Sequence, residues 1–254
     1  MIEEALSLIP SPSAWALYFL CAMFIGMSKT GILNIGTLAI PFFALLFGAR
    51  YSTGIVLILL CFADVVAVVY YRKAFLWNEV KKLLPMALTG LVAGLVLGQY
   101  MDDRTFKVLI SVCILLGMGI MIWTQSSTKF DRLVNHRWYA PVFGFIMGFS
   151  TMIGNAAGPA LSVYMLSKKL DKITFTATAA WFIMILNFTK IPLQLFVWHN
   201  LSWQGLILNV MALPFILLGG FLGIRILKVI PETRFRQVII VMVVISALFL
   251  IVKT

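Results

Sequence analysis

Three ionisable residues stand where apolar sequence surrounds them: Lys29, Asp64 and Lys190. A charge at bilayer depth costs roughly 2.5–3.5 kcal/mol on insertion scales, so such a residue faces a cavity or a partner and usually marks a pathway. If all three are charged and close together, they sum to a single positive charge, which favours an anion. Asp64 reads either as the counter-ion of a lysine or as a group that couples transport to protons. Both readings stay open at this level.

The polar company of these charges comes from two glycine-rich breaks, GMSKTGILNIGTLAIP at 26–41 and GFSTMIGNAAGP at 148–159. The first supplies Lys29, Thr30, Asn34 and Thr37, and the second Thr151 and Asn155; Asn187 precedes Lys190 in NFTKIPLQ. We expect these eight residues to bind the substrate, with Asp64 as the coupling candidate. A short helical arm is expected to start at the capping residue Thr37 or Asn155. Pro41 or Pro159 then falls in the first turn, where a missing N–H costs no intrahelical bond. A helix N-terminus offers free N–H groups and a positive dipole end. Two such ends converging near the bilayer midplane make an anion site from backbone alone. The plainer alternative is that the glycines permit tight turns and close helix packing.

Other chemistry finds little support. Cys21, Cys61 and Cys113 lie in apolar segments without metal-ligand spacing, and His136 and His199 sit alone in loops. Nothing resembles a nucleotide-binding loop or a nucleophile elbow. We therefore expect no metal, no cofactor and no enzyme; Ser28 beside Lys29 is the best pair that an intramembrane enzyme could draw on.

The elements that must position these residues are membrane spans. A chain of 254 residues with 62% hydrophobic and 11% charged residues is not an ordinary soluble domain, and about 18 apolar residues already suffice to cross a bilayer. Segments 53–71, 83–101, 106–124, 175–198, 203–227 and 235–252 qualify. The arm after the first break has only about 11 residues, roughly 16 Å as a helix, and cannot cross about 30 Å of hydrocarbon. Pro192, two positions after Lys190, is expected to kink its span. The opening Met-Ile-Glu-Glu lacks the basic stretch of a signal peptide, so none is expected. The net charge of +11 suggests nucleic acid, but the basic residues sit in loops between spans, so no nucleic-acid partner is expected.

The pattern of a break followed by three spans occurs twice, divided by QSSTKFDRLVNHRW at 125–138. Gapless pairing sets Pro85 with Pro214, Gly90 with Gly219 and Gly94 with Gly223. Around the breaks it sets Gly26 with Gly144, Gly36 with Gly154, Thr37 with Asn155 and Pro41 with Pro159, and more loosely Asp64 with Asn187. Such internal symmetry is how many secondary transporters are built. An odd number of crossings per half makes the halves inverted. Loop charge agrees: Arg72, Lys73, Lys81, Lys82, Lys168, Lys169 and Lys172 fall on one side, with Arg50, Arg104, Lys107 and Lys253 on the other. The expected fold is thus an all-α integral membrane protein of two inverted repeats, 1–128 and 129–254. Each is a re-entrant or broken helical hairpin plus three transmembrane helices, with both termini on the side away from the cytoplasm. Small-residue faces such as Gly90, Gly94 and Gly98 suit a homodimer or internal packing equally.

The two breaks, GFSTMIGNAAGPAL in particular, and the Pro/Gly-spaced spans of both halves resemble the TauE/SafE family of sulfite-exporter-like permeases over nearly the whole length. Glycine runs before each proline are sparser here than in that family. The resemblance implies a multi-pass protein of the bacterial inner membrane that exports sulfite or a related small organosulfur anion as a secondary transporter. An anion channel or a non-transporting membrane scaffold on the same fold is the alternative.

Overall fold

A computed structural model describes residues 2–102 and 136–231, with positions 104, 105, 108, 109, 112, 134, 233–235, 237, 238 and 241. Most of the expected spans at 106–124 and 235–252, and most of the dividing loop at 125–138, lie outside the described residues.

Among the described residues the chain is all-helical. Helix α1 (Ile2–Ser7) precedes α2 (Pro12–Thr30), whose first turn is capped by Ser11 accepting from the Ala14 N–H at 3.2 Å. A short 3-10 turn (Ile35–Leu38) leads into α3 (Ala39–Phe47), then α4 (Ala49–Tyr71) and α5 (Trp77–Gln99). The second part of the chain runs α6 (Tyr139–Gly154), α7 (Gly158–Ser167), α8 (Lys172–Phe196), α9 (Trp203–Met211) and α10 (Leu213–Val229).

Three of these helices are long and apolar enough to cross a membrane: Arg50–Tyr71, Trp77–Gln99 and Lys172–Phe196. At 1.5 Å per residue each reaches over about 30 Å of hydrocarbon. They leave Val69, Val92 and Phe196 exposed on their outer faces, as lipid-facing side chains are. The expected span at 203–227 is instead two helices, α9 and α10, bent by 49° at Ala212. Pro214 explains the break, because it lacks an N–H and its ring clashes with the carbonyl four residues back. Its sequence partner Pro85 lies inside an unbroken α5, and α8 likewise continues through Pro192.

The two broken arms form hairpins. Tyr18 on α2 meets Phe47 at the end of α3, so the first hairpin closes at the end of the molecule where α4 begins. Tyr139 stacks on Tyr164 at 5.3 Å, so the second closes at the other end, beside the turn between α4 and α5. There Tyr164 donates to Glu79, whose other neighbours are Lys82 and Lys168, and Lys172 donates to the Ile230 carbonyl. The basic turns after α4 and α7 therefore share one end, whereas Arg50 stacks over Trp198 at the opposite end. Helices α3 and α7, with 9 and 10 residues, reach only about 15 Å and return toward the end they came from.

Each hairpin's long arm packs on a helix from the other half, α2 along α10 and α6 along α5. Glycines make the approach possible. A Cβ on Gly26 would collide with the Ile216 carbonyl, one on Gly219 with that of Met23, one on Gly90 with that of Phe145, and one on Gly148 with that of Ala87. The pairing of Pro85 with Pro214 sets Ala87 opposite Ile216. By contact, then, Gly26 corresponds to Gly148, one helical turn on from the Gly144 that sequence pairing suggests.

Candidate functional site

The break after α2 and the break after α6 meet. Asn34 Nδ2 donates to Ser162 Oγ on α7 at 2.8 Å, and Gly158 leaves room for Asn34, because a Cβ there would strike its Oδ1. Asn34 and Asn155 both hold left-handed backbone, at φ 72° and φ 53°. Asparagine is one of the few side chains that enter this region readily. Neither short arm starts as the sequence suggested. Asn155 ends α6 rather than opening α7: its N–H reaches the Thr151 carbonyl at 3.0 Å and the Ala156 N–H reaches that of Ser150 at 3.2 Å. This is the left-handed C-terminal cap of a helix. Helix α7 begins later, at Gly158, with Pro159 in its first turn, and Thr37 lies within the 3-10 turn, with Leu38 in the capping position of α3.

The charged residues lie together. Lys29, in the last turn of α2, places Nζ 2.7 Å from Asp64 Oδ1 on α4. Asn187 on α8 donates its Nδ2 to Asp64 Oδ2 at 2.6 Å. Asp64 is fully buried, with one oxygen ion-paired to Lys29 and the other hydrogen-bonded by Asn187. Lys190, one turn further along α8, is also fully buried. Its Nζ donates to the Thr151 carbonyl at 3.0 Å, Thr151 Oγ1 at 3.1 Å and Asn155 Oδ1 at 2.5 Å. Three acceptors match the three N–H donors of an ammonium. Asn155 is fixed at its other end too, donating to the Thr53 carbonyl at 3.1 Å.

A cavity of about 70 Å³ opens between these groups. One water needs roughly 10–15 Å³ on this measure, so the space takes a few waters or one small oxyanion. Lys29, Asn34, Thr37, Thr151, Asn155 and Asn187, six of the expected site residues, line it beside apolar Ile25, Leu60 and Ile183. Asp64, Lys190 and Thr30 do not reach it. Asp64 and Lys190 stand directly behind lining residues and fix their orientation. Thr30 turns away from the site, donating to the Gly220 carbonyl of α10 at 2.8 Å, and belongs to the helix packing. Sequence reasoning did not assign Ser28, Ala157 and Gly158 to the site, yet all three line the cavity. The Gly-Pro pair at the start of α7 was the available signal for Gly158.

Thr151 has a directional role. Its oxygen accepts from Lys190, which turns the hydroxyl proton away from that lysine and leaves it free to donate into the cavity. Lys29 supplies the positive charge at the wall, and the N-terminus of α7 opens there at Gly158. No group of His, Cys, Asp and Glu suited to a metal occurs among the described residues.

A family model described as Sulfite exporter TauE/SafE matches residues 18–250. Searches of curated proteins and of solved structures gave no match. A match of that extent, on an all-helical chain with membrane-length apolar helices, shows that the protein belongs to the TauE/SafE sulfite exporter family, whose members are membrane transporters of sulfur anions.

Proposed function

We propose that this protein is a secondary transporter that exports sulfite or a related small organosulfur anion across the bacterial inner membrane. The observation that carries the reading is Lys29, which lines a small cavity between the two breaks while its counter-ion Asp64 stays behind the wall. A cation held by a buried carboxylate can be shared with an entering anion. Thr151 and the start of α7 then donate to the anion's oxygens, with Lys190 holding Thr151 and Asn155 in place.

Residues 1–128 and 129–254 act as two inverted repeats. Support comes from hairpins that close at opposite ends and from the reciprocal packing of α2 on α10 and α6 on α5. Lys29, Asn34 and Thr37 come from one repeat and Thr151, Asn155 and Asn187 from the other. Movement of one repeat against the other would open the cavity to alternate sides. The basic turns after α4 and α7 face the cytoplasm, and both termini face away from it.

Asp64 couples the cycle to protons. While the anion is bound, Lys29 is shared between it and the ionised Asp64; when the repeats move and Lys29 leaves Asp64, the carboxylate keeps only the Asn187 donor and takes up a proton. Sulfite flux in proteoliposomes, wild type beside Lys29→Gln, tests the reading. Saturable flux that follows a proton gradient and is lost in the variant supports it; wild-type flux in Lys29→Gln overturns it.

A further inference from the structure

Asn187 is fully buried, lines the cavity, and is the amide whose orientation is set from outside the site. An ionised carboxylate only accepts hydrogen bonds, so the contact with Asp64 Oδ2 at 2.6 Å must come from the Asn187 NH₂ group. Lys29 holds the other carboxylate oxygen, so the amide has no alternative partner on Asp64. Its Oδ1 is thereby turned away from Asp64 and has no hydrogen-bond partner among the described residues. A buried acceptor left unmatched is costly. An anion site made of donors gains nothing from such a group unless the ligand itself brings a donor.

We propose that Asn187 Oδ1 accepts a hydrogen bond from the substrate and so selects a singly charged oxyanion that still carries a proton, hydrogensulfite rather than the sulfite dianion. The inference rests on the anion-site reading above. The local charge agrees: Lys29 on α2 and Lys190 on α8 stand against Asp64 on α4, leaving one positive charge for one negative. The donors Lys29 and Thr151 meet the deprotonated oxygens, and Asn187 meets the protonated position. A dianion, or an alkylsulfonate with three bare oxygens, presents only acceptors and a methyl group to Oδ1.

The test compares binding of sulfite and of methanesulfonate to the purified full-length protein by titration calorimetry across a pH series. Methanesulfonate keeps the same single charge at every pH, so it reports any titration of Asp64, Lys29 or Lys190 themselves. Hydrogensulfite is expected to bind about ten-fold or more tightly than methanesulfonate. Its apparent affinity should decline with the hydrogensulfite fraction as pH rises, while that of methanesulfonate does not follow this decline. In Asn187→Leu the preference should collapse toward parity. Equal affinities with parallel pH profiles in the wild type overturn the role of Asn187 and leave the anion site standing. Binding of neither probe overturns both. The wild-type comparison decides the matter even where Asn187→Leu fails to fold, and an undiminished preference in a folded Asn187→Leu also overturns the proposal.

Discussion

Asp64 on α4 and Asn187 on α8 are joined side chain to side chain at 2.6 Å, while the other oxygen of Asp64 is taken by Lys29 of α2 at 2.7 Å. Three helices from both parts of the chain thus converge on one buried carboxylate. Breaking a buried ion pair by removing one partner costs about 3–5 kcal/mol, whereas replacing both with apolar residues is often neutral. Asp64→Leu and Lys29→Met are each expected to lower the thermal unfolding midpoint in detergent. The double variant should recover much of that loss yet show no sulfite flux. Flux in the double variant would remove the pair from the mechanism.

Lys190 tests a different link, because it acts on the cavity through Thr151 and Asn155. Lys190→Met leaves buried acceptors unmatched, at about 1–3 kcal/mol each. Thr151→Val removes one of the three acceptors of Lys190. We expect Thr151→Val to raise the KM for sulfite several-fold with a smaller loss of stability than Lys190→Met, which should lose both stability and flux. A Thr151→Val protein with unchanged KM would show that the hydroxyl does not meet the anion.

The helix contacts give a prediction independent of transport. A Cβ at Gly148 would strike the Ala87 carbonyl, and one at Gly31 the Gly223 carbonyl, both of them backbone that cannot step aside. At Gly205 the nearest atoms are the Ser202 hydroxyl at 3.2 Å and the Ile55 side chain at 3.4 Å. Gly148→Ala and Gly31→Ala should each destabilise by about 1–3 kcal/mol, with Gly205→Ala much milder. Chemical unfolding of the purified variants measures this ranking.

Asp171 caps α8 outside the membrane, accepting from the N–H groups of Ile173 and Thr174, both at 3.0 Å. Partial burial pushes its carboxyl pKa up, but the donors of Thr174 and Ile173 outweigh this and hold it below the ordinary value. A folded-state pKa below the unfolded one contributes stability that is present above the unfolded value, about 3.9, and is lost as pH falls through the folded one. Asp171→Asn should flatten that acid-side loss while keeping a cap, and Asp171→Ala should cost about 1 kcal/mol at neutral pH. Unfolding midpoints measured down the acid range distinguish the two variants.

Much of the architecture was legible in the chain itself. Long apolar runs can only be spans, and a proline-glycine break in such a run can only be tolerated inside protein, so the helical membrane character and both hairpins followed from sequence. Charge in an apolar setting likewise marked Lys29, Asp64 and Lys190, though not that they would lie together. What each residue touches was decided by tertiary structure. Periodicity does not say which helix faces which, so the pairing of α2 with α10, which draws Thr30 out of the site, had no sequence signal. Helix boundaries shifted for a related reason: Asn155 is equally suited to start a helix or to end one, and its left-handed backbone, fixed by Thr53 and Lys190, chose the second. The sequence determined which groups must be sheltered from lipid; only packing determined that Lys29 faces the cavity and that Asp64 and Lys190 stand behind its wall.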